Sequence, residues 1–169
     1  MNDGGGLSVR PATDNDYDAI WSILKPVYRA GETYCIPRDV TRPEALDDWF
    51  AHPFTAFVAE SGGQVVGTSH IGANRPAGGS HVANASFATD PQARGRGVAR
   101  VLIGHAKDWA RGMGFRAMQF NFVVSTNEDA VHLWQTSGFG IVGRLPGAFL
   151  HPRHGHVDAL VMFHDLTGG

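Results

Sequence analysis

Cysteine is almost missing from the 169-residue chain, with Cys35 its one example. A single thiol closes no internal disulfide and rules out a four-cysteine zinc site. No stretch approaches the ~18 consecutive apolar residues of a membrane-spanning helix. An excess of one charge is also lacking: 14 Lys and Arg against 16 Asp and Glu leave a net charge of -2. Nucleic acids and anionic membranes both attract a basic surplus, so neither is an expected partner. Residues 1–6 are polar and glycine-rich, with no basic segment leading into an apolar run. No secretory leader is therefore read, and a cytoplasmic location is expected.

What is present suits a globular chain. Hydrophobic residues make up 43% and charged residues 18%, enough apolar material for a packed core and too little charge for a disordered one. The length fits one domain over 1–169, with 1–6 as a flexible tail. Glycine is abundant, and Gly62-Gly63, Gly78-Gly79, Gly112 and Gly114 punctuate the chain at turns.

Between those marks the periodicity alternates. Leu7 to Pro11 reads as a strand. Thr13 is placed to cap a helix carrying Tyr17, Ile20, Trp21, Leu24, Val27 and Tyr28 at helical spacing, which Pro26 is expected to bend or end early. A loop over 29–40 and a helix over 41–51 follow. Three strands are predicted over 55–60, 64–74 and 81–89, the first two joined by a Gly62-Gly63 hairpin turn. Then come a helix (97–111), a strand (115–125), a helix (128–137), a strand (139–144), a loop (146–155) and a last strand (157–164). This order predicts a mixed α/β (α+β) fold, with antiparallel hairpins followed by a βαβ crossover.

The most informative segment is Asp90-Pro91-Gln92-Ala93-Arg94-Gly95-Arg96-Gly97-Val98-Ala99-Arg100, between a strand and a helix. Its glycines let the backbone turn tightly and approach a ligand without Cβ clashes. Amides pointing at one spot, at the positive end of a helix dipole, make an anion site suited to a pyrophosphate. A P-loop would need a lysine and a hydroxyl that are missing. A dinucleotide fingerprint would need a small residue at Arg100 and an acid near 115–120, and neither is there.

Two spaced motifs carry a family resemblance. Arg94-Gly95-Arg96-Gly97-Val98-Ala99 matches [Q/R]-x-x-G-x-[G/A]; Gln92 to Gly97 fits an earlier frame, but the Arg94 frame leaves Asp90-Pro91 in its usual place. Asn127, Ala130, Trp134 and Gly138-Phe139 reproduce the second motif. The sequence resembles the GNAT superfamily of acyl-CoA-dependent N-acetyltransferases over nearly its whole length. The resemblance implies a mostly antiparallel central sheet of about six or seven strands, flanked by about four helices and splayed between strands 4 and 5. It implies acetyl-CoA as cosubstrate, with no metal. The amides of Arg94, Gly95, Arg96, Gly97, Val98 and Ala99 would hold the pyrophosphate. Backbone groups of Phe87, Ala88 and Thr89 would receive the pantetheine arm as an added strand. Asn127 would contact the cofactor arm; its alternative is to cap the next helix, a task Thr126 could take instead. Trp134 departs from the family, where a tyrosine often protonates the leaving thiolate. An indole N–H is no useful acid, so Trp134 is assigned to packing against core or cofactor.

The acceptor side is less legible. An amine of pKa about 10 must lose a proton before it attacks. Asn84 and Asn121 sit in apolar strands expected to be neighbours at the splay. Either they bond to each other or to backbone, or they orient an acceptor. Together with His81-Val82-Ala83-Asn84, Phe120 to Asn127 and Val157-Asp158-Ala159, they resemble a GNAT branch that includes fungal enzymes acetylating proline-like imino acids. Glu32, Thr33 and Tyr34, in the loop expected over the acceptor pocket, are further substrate candidates. Arg144 and the 146–156 segment lie where the family shapes specificity. His151-x-x-His154-x-His156 is interrupted by proline, arginine and glycine and reads as a polar loop rather than a zinc site. Cys35, with no base placed beside it, reads as a packing residue. The leading expectation is acetyl transfer to a small-molecule amine. Protein acetylation and a noncatalytic acyl-CoA-sensing module are the alternatives, and the resemblance also suggests a homodimer.

Overall fold

A computed structural model of the chain describes residues 6–168, so the tail expected over 1–6 lies, apart from Gly6, outside the described residues. Eleven elements follow one another: β1 (Ser8–Pro11), α1 (Tyr17–Ala30), α2 (Arg42–Trp49), β2 (Thr55–Ser61), β3 (Gln64–Ala73), β4 (Val82–Thr89), α3 (Val98–Gly112), β5 (Ala117–Val124), α4 (Glu128–Thr136), β6 (Gly140–His151) and β7 (Gly155–Asp165). The strands form one seven-stranded sheet in the order β1-β2-β3-β4-β5-β7-β6. Every neighbouring pair is antiparallel except β4 and β5, which run parallel. The fold is thus the mixed, mostly antiparallel sheet expected.

Strand alternation sends side chains to two helical layers. Ala56, Val58 and Ala88 meet Ile20, Leu24 and Trp49 of α1 and α2 on one face. Ile71, Ala83 and Met118 meet Ile103, Ala106 and Ala110 of α3 on the other. Burying such aliphatic and aromatic side chains contributes about 1.5–3 kcal/mol each, which fixes the helices on the sheet.

Two expectations fail. Pro26 neither ends nor shortens α1, which runs on to Ala30 and stops at Gly31 in the left-handed conformation (φ 66°). The interior proline costs about 3 kcal/mol, but the helix face continues past it to Tyr28, which is 2% exposed. The 146–155 loop shrinks to a turn at 152–154: β6 extends through Pro146-Gly147 to His151. Its register breaks between Leu145 and Phe149, and Asp158 accepts the Gly147 N–H (2.9 Å) and the Arg144 guanidinium (2.7 Å) there. β6 is the outermost strand, where a proline removes no ladder bond that a neighbour needs. A smaller shift concerns Thr13. Its N–H donates to Asp16 Oδ2 (2.7 Å) to open a short 3-10 turn, and α1 begins only at Tyr17.

His70 of β3 is buried, with its ring stacked on Trp49 (4.2 Å between centroids) and on Phe54 (4.4 Å). Its Nδ1 lies 2.8 Å from the Trp49 carbonyl oxygen and donates to it. Burial holds the imidazole below its ordinary value of 6.5, and half-buried His105 shifts the same way for the same reason. A depressed histidine value favours the neutral folded state, so the stabilisation is complete above pH 6.5 and is lost as the pH falls through that value. The shifted carboxylates have ordinary values of 3.8 to 4.5 and are lowered further, so they act at lower pH. Denaturant melts should therefore show stability dropping as the pH falls below 6.5, with a shallower slope in His70→Gln. An unaltered slope in that variant would exclude His70 as the source.

Candidate active site

The glycine-rich segment forms the junction between β4 and α3. Asp90 Oδ1 accepts the Gln92 N–H (2.9 Å), and Pro91–Ala93 make a 3-10 turn. Gly95 (φ 76°) and Gly97 (φ 81°) then adopt the left-handed conformation, which side-chain-bearing residues avoid. Gly97 is the N-cap of α3. The N–H groups of Val98, Ala99 and Arg100 consequently have no carbonyl four residues back inside the helix, and they sit at its positive end. Arg96 N–H reaches the Ala93 carbonyl at 3.3 Å, a long contact. No atom lies within 4 Å of where a Cβ on Gly95 or Gly97 would stand, so the space before both is open.

α3 holds this turn in place because it packs on β3 without a spacer. A Cβ at Gly67 would come within 2.6 Å of Val98 Cγ1 and 3.0 Å of Leu102 Cδ1. Val98 itself is buried, so only its backbone can serve a ligand.

Beside the turn the sheet opens. β4 pairs with β3 from Ala83 to Thr89 but with β5 only at Val82↔Ala117 and Ala83↔Met118. From Asn84 onward the two parallel strands part around a cavity of ≈ 750 Å³, within the range of small-molecule sites. Glu32, Thr33, Tyr34, Asn84, Phe87, Ala88 and Thr89 line it, as do Arg94, Gly95, Ala99, Asn121, Asn127 and Trp134. Of the residues predicted from sequence, Arg96, Gly97 and Val98 stay out of its wall.

Aromatic rings cluster where Phe87, Phe120 and Trp134 line the cavity. Trp134 stands 5.2 Å from Phe87 and 5.0 Å from Phe120, which stacks on Phe139 at 4.4 Å. Trp134 thus packs between the parted strands, in line with the packing expected of it. Asn127 caps α4, with its Oδ1 accepting the Ala130 N–H at 3.4 Å, and no bond occupies its Nδ2 among the described residues. Both alternatives offered for Asn127 are thereby compatible with one side chain.

Tyr34 does something the sequence does not announce. Its hydroxyl donates to the Phe87 carbonyl (2.5 Å) and accepts the Phe87 N–H (3.2 Å). It therefore engages both backbone groups of one residue on the parted edge. Burial pushes the phenol up to about 12, so it stays protonated at neutral pH.

Asn84 and Asn121 line the same cavity but are not bonded to each other. Asn121 Nδ2 donates to Asn74 Oδ1 (2.6 Å), and its Oδ1 accepts from Gln119 Nε2 (2.9 Å). Asn74, just past β3, was not singled out from sequence; a third asparagine at a strand end was the available signal. Arg153, in the turn between β6 and β7, pairs with Glu32 of the cavity wall (2.7 Å). Cys35, expected inside, is exposed at the wall. His151 is buried, accepts the Arg153 N–H at Nδ1 and contacts the His154 ring (4.5 Å). Among the described residues, no group of three or more His, Cys, Asp or Glu could hold a metal ion. No described helix is long and apolar enough to cross a membrane.

Known proteins share this fold. The chain is similar to N-acetyltransferase aca1 of Schizosaccharomyces pombe, at 29% identity across 78% of this chain and 71% of that one. It superposes on a GCN5-related N-acetyltransferase from Kribbella flavida with a TM-score of 0.90 and 44% identity, covering 94% of this chain and 97% of that chain. A phosphinothricin acetyltransferase from Sinorhizobium meliloti, solved in complex with acetyl-CoA, shares the fold (TM-score 0.82, 20% identity, 94% of this chain and 88% of that chain). The model of the acetyltransferase (GNAT) family matches residues 17–139, from α1 to the residue before β6, and the chain belongs to that family as an N-acetyltransferase.

Proposed function

We propose that the protein moves an acetyl group from acetyl-CoA to the primary or secondary amine of a small molecule, an amino or imino acid, by direct attack in a ternary complex. Acetyl-CoA supplies the electrophilic thioester. The amides from Arg94 to Ala99 hold the pyrophosphate, and the β4 edge at Phe87, Ala88 and Thr89 receives the pantetheine arm once the Tyr34 hydroxyl gives way at Phe87. The Phe87 N–H, aimed into the gap, donates to the carbonyl oxygen as negative charge grows there. Asn127 and Trp134 contact the arm from α4. As the amine attacks, a C–N bond forms and the C–S bond breaks; the proton lost by nitrogen ends on the departing thiolate. A thiol of pKa about 8.5 leaves tolerably as its anion, so Trp134 need not supply a proton. Asn84 and Asn121 orient the acceptor, with Glu32, Thr33 and Tyr34 beside them. Neutral amides cannot deprotonate an ammonium, so water takes that proton or the amine enters already free.

The single observation that carries this assignment is the β4 edge from Asn84 to Thr89, which pairs with no strand on the β5 side and opens beside the amides of the Gly95–Gly97 turn. The Arg153–Glu32 pair ties the β6–β7 turn to the loop that lines the cavity, which favours a small acceptor over a peptide, which would need an open groove. The expected homodimer is supported by the outer strand β6, whose Ile141, Val142, Leu145 and Leu150 are exposed. Thiol release from acetyl-CoA across amines, amino acids, proline analogues and peptides is the test. Turnover with a small amino or imino acid is expected. Turnover with peptides alone would replace this function by protein acetylation, and tight binding without any turnover would leave the sensing module.

A further inference from the structure

We propose that Asn74 and Gln119 are positioning residues for the acceptor, and that they act by locking the Asn121 carboxamide in one orientation. The inference rests on the proposed function, which gives Asn121 the acceptor as its partner. Neither Asn74 nor Gln119 lines the cavity between β4 and β5, whereas Asn121 does. The backbone first aims Asn121. β5 pairs with β7 as far as Phe120↔Met162 and resumes at Val123↔Leu160, so two β5 residues, Asn121 and Phe122, stand against the single Val161. Such a bulge is a device by which a strand re-aims a side chain. Its effect shows in the core, where Phe120 and Val123 join one cluster although strict alternation would send them to opposite faces.

Hydrogen bonds then fix the amide group itself. Gln119 Nε2 donates to Asn121 Oδ1 (2.9 Å), and Asn121 Nδ2 donates to Asn74 Oδ1 (2.6 Å). Asn74 is in turn tied to the start of β4, where its N–H donates to the Val82 carbonyl (2.8 Å). A carboxamide has two N–H donors and two lone pairs, so Asn121 keeps one of each after these bonds. Unrestrained, its terminal torsion has two nearly equivalent settings. The three carboxamides run in one direction, however, and Asn121 exchanges its oxygen and nitrogen only if both neighbours reverse with it. A bound acceptor therefore meets one fixed N–H and one fixed lone pair. A carboxylate, which only accepts, must take the N–H, and an ammonium, which only donates, must take the oxygen. Reversing the chain would exchange the two and misplace the amine.

Two isosteric substitutions separate this role from packing. Asn74→Asp keeps an oxygen facing Asn121 Nδ2. Gln119→Glu puts an oxygen where Gln119 donates, and the Asn121 carboxamide must turn over to meet it. Both add one negative charge to the same cluster, so the difference between them reads the direction of the chain. With L-proline and glycine as acceptor probes, Gln119→Glu should raise the acceptor KM at least about tenfold, and Asn74→Asp should stay within about threefold of wild type. The Kd for acetyl-CoA should move less than about twofold in both, because the cofactor meets neither residue. Equal acceptor KM values in the two variants would overturn the proposal. Side-chain 15N relaxation adds a readout that needs no acceptor, with the Asn121 resonance identified by its loss in Asn121→Asp. Its order parameter should fall from a rigid value of about 0.85 to below about 0.6 when Asn74→Ala is combined with Gln119→Leu. An unchanged order parameter would overturn the lock. If wild type acetylated neither probe, the amino-acid or imino-acid acceptor would fall, while the order parameter would still decide the lock.

Discussion

Gly97→Glu is expected to raise the Kd for acetyl-CoA by at least about a hundredfold and to leave the fold intact. The new carboxylate would stand at the N-cap of α3, before the amides assigned to the pyrophosphate. Two like charges some ~6 Å apart at an effective dielectric constant of about 20 repel by about 3 kcal/mol, and a pyrophosphate carries more than one. A hundredfold loss corresponds to about 2.7 kcal/mol, so repulsion alone suffices. Stability should suffer little. The side chain meets no atom within 4 Å of its Cβ, and the left-handed φ of 81° adds about 1 kcal/mol of strain. Gly97→Ala carries the same strain without the charge and should retain most of the affinity. Titration of both variants beside a thermal melt separates the effects. Equal affinity in Gly97→Glu and wild type would place the pyrophosphate elsewhere.

Tyr34→Phe should tighten acetyl-CoA binding about tenfold. In the described structure the Tyr34 hydroxyl holds the Phe87 N–H and carbonyl, the groups assigned to the incoming thioester arm. Binding then has to break those contacts, whose net worth is about 1 kcal/mol or slightly more. The phenylalanine ring keeps the contact with Tyr28 and the cavity wall but competes for nothing. The wild-type phenol, raised to about 12, does not ionise between pH 6 and 9, so the tightening should be the same across that range. Weaker binding in the variant would show instead that Tyr34 holds the cosubstrate.

The legible parts of the site were local. A glycine after a strand and another at a helix start predict the left-handed turns seen at Gly95 and Gly97, because conformational freedom belongs to the residue itself. The same holds for Gly62-Gly63, which turns β2 into β3 as expected. Asn127 was recognised for a cofactor role and a capping role, and its single carboxamide has atoms for both. Misjudged elements were those where packing overrides a local preference. Pro26 sits inside α1 because the apolar face continues beyond it. Pro146-Gly147 sits inside β6 because that strand has a free edge and Asp158 takes the Gly147 N–H.

Sequence alone therefore determined the family over residues 17–139 and, with it, the class of chemistry; a strand, a glycine turn and a helix N-terminus in that order favour an anion there. It also determined the alternation that buries one face of each strand. Tertiary structure alone decided how far β4 and β5 part, that Tyr34 lies on Phe87 53 positions along the chain, and that Asn121 turns to Asn74 rather than Asn84. Those outcomes depend on which surfaces the helices press together across long loops. No residue's own preference encodes such a distance, and only the packed whole sets it.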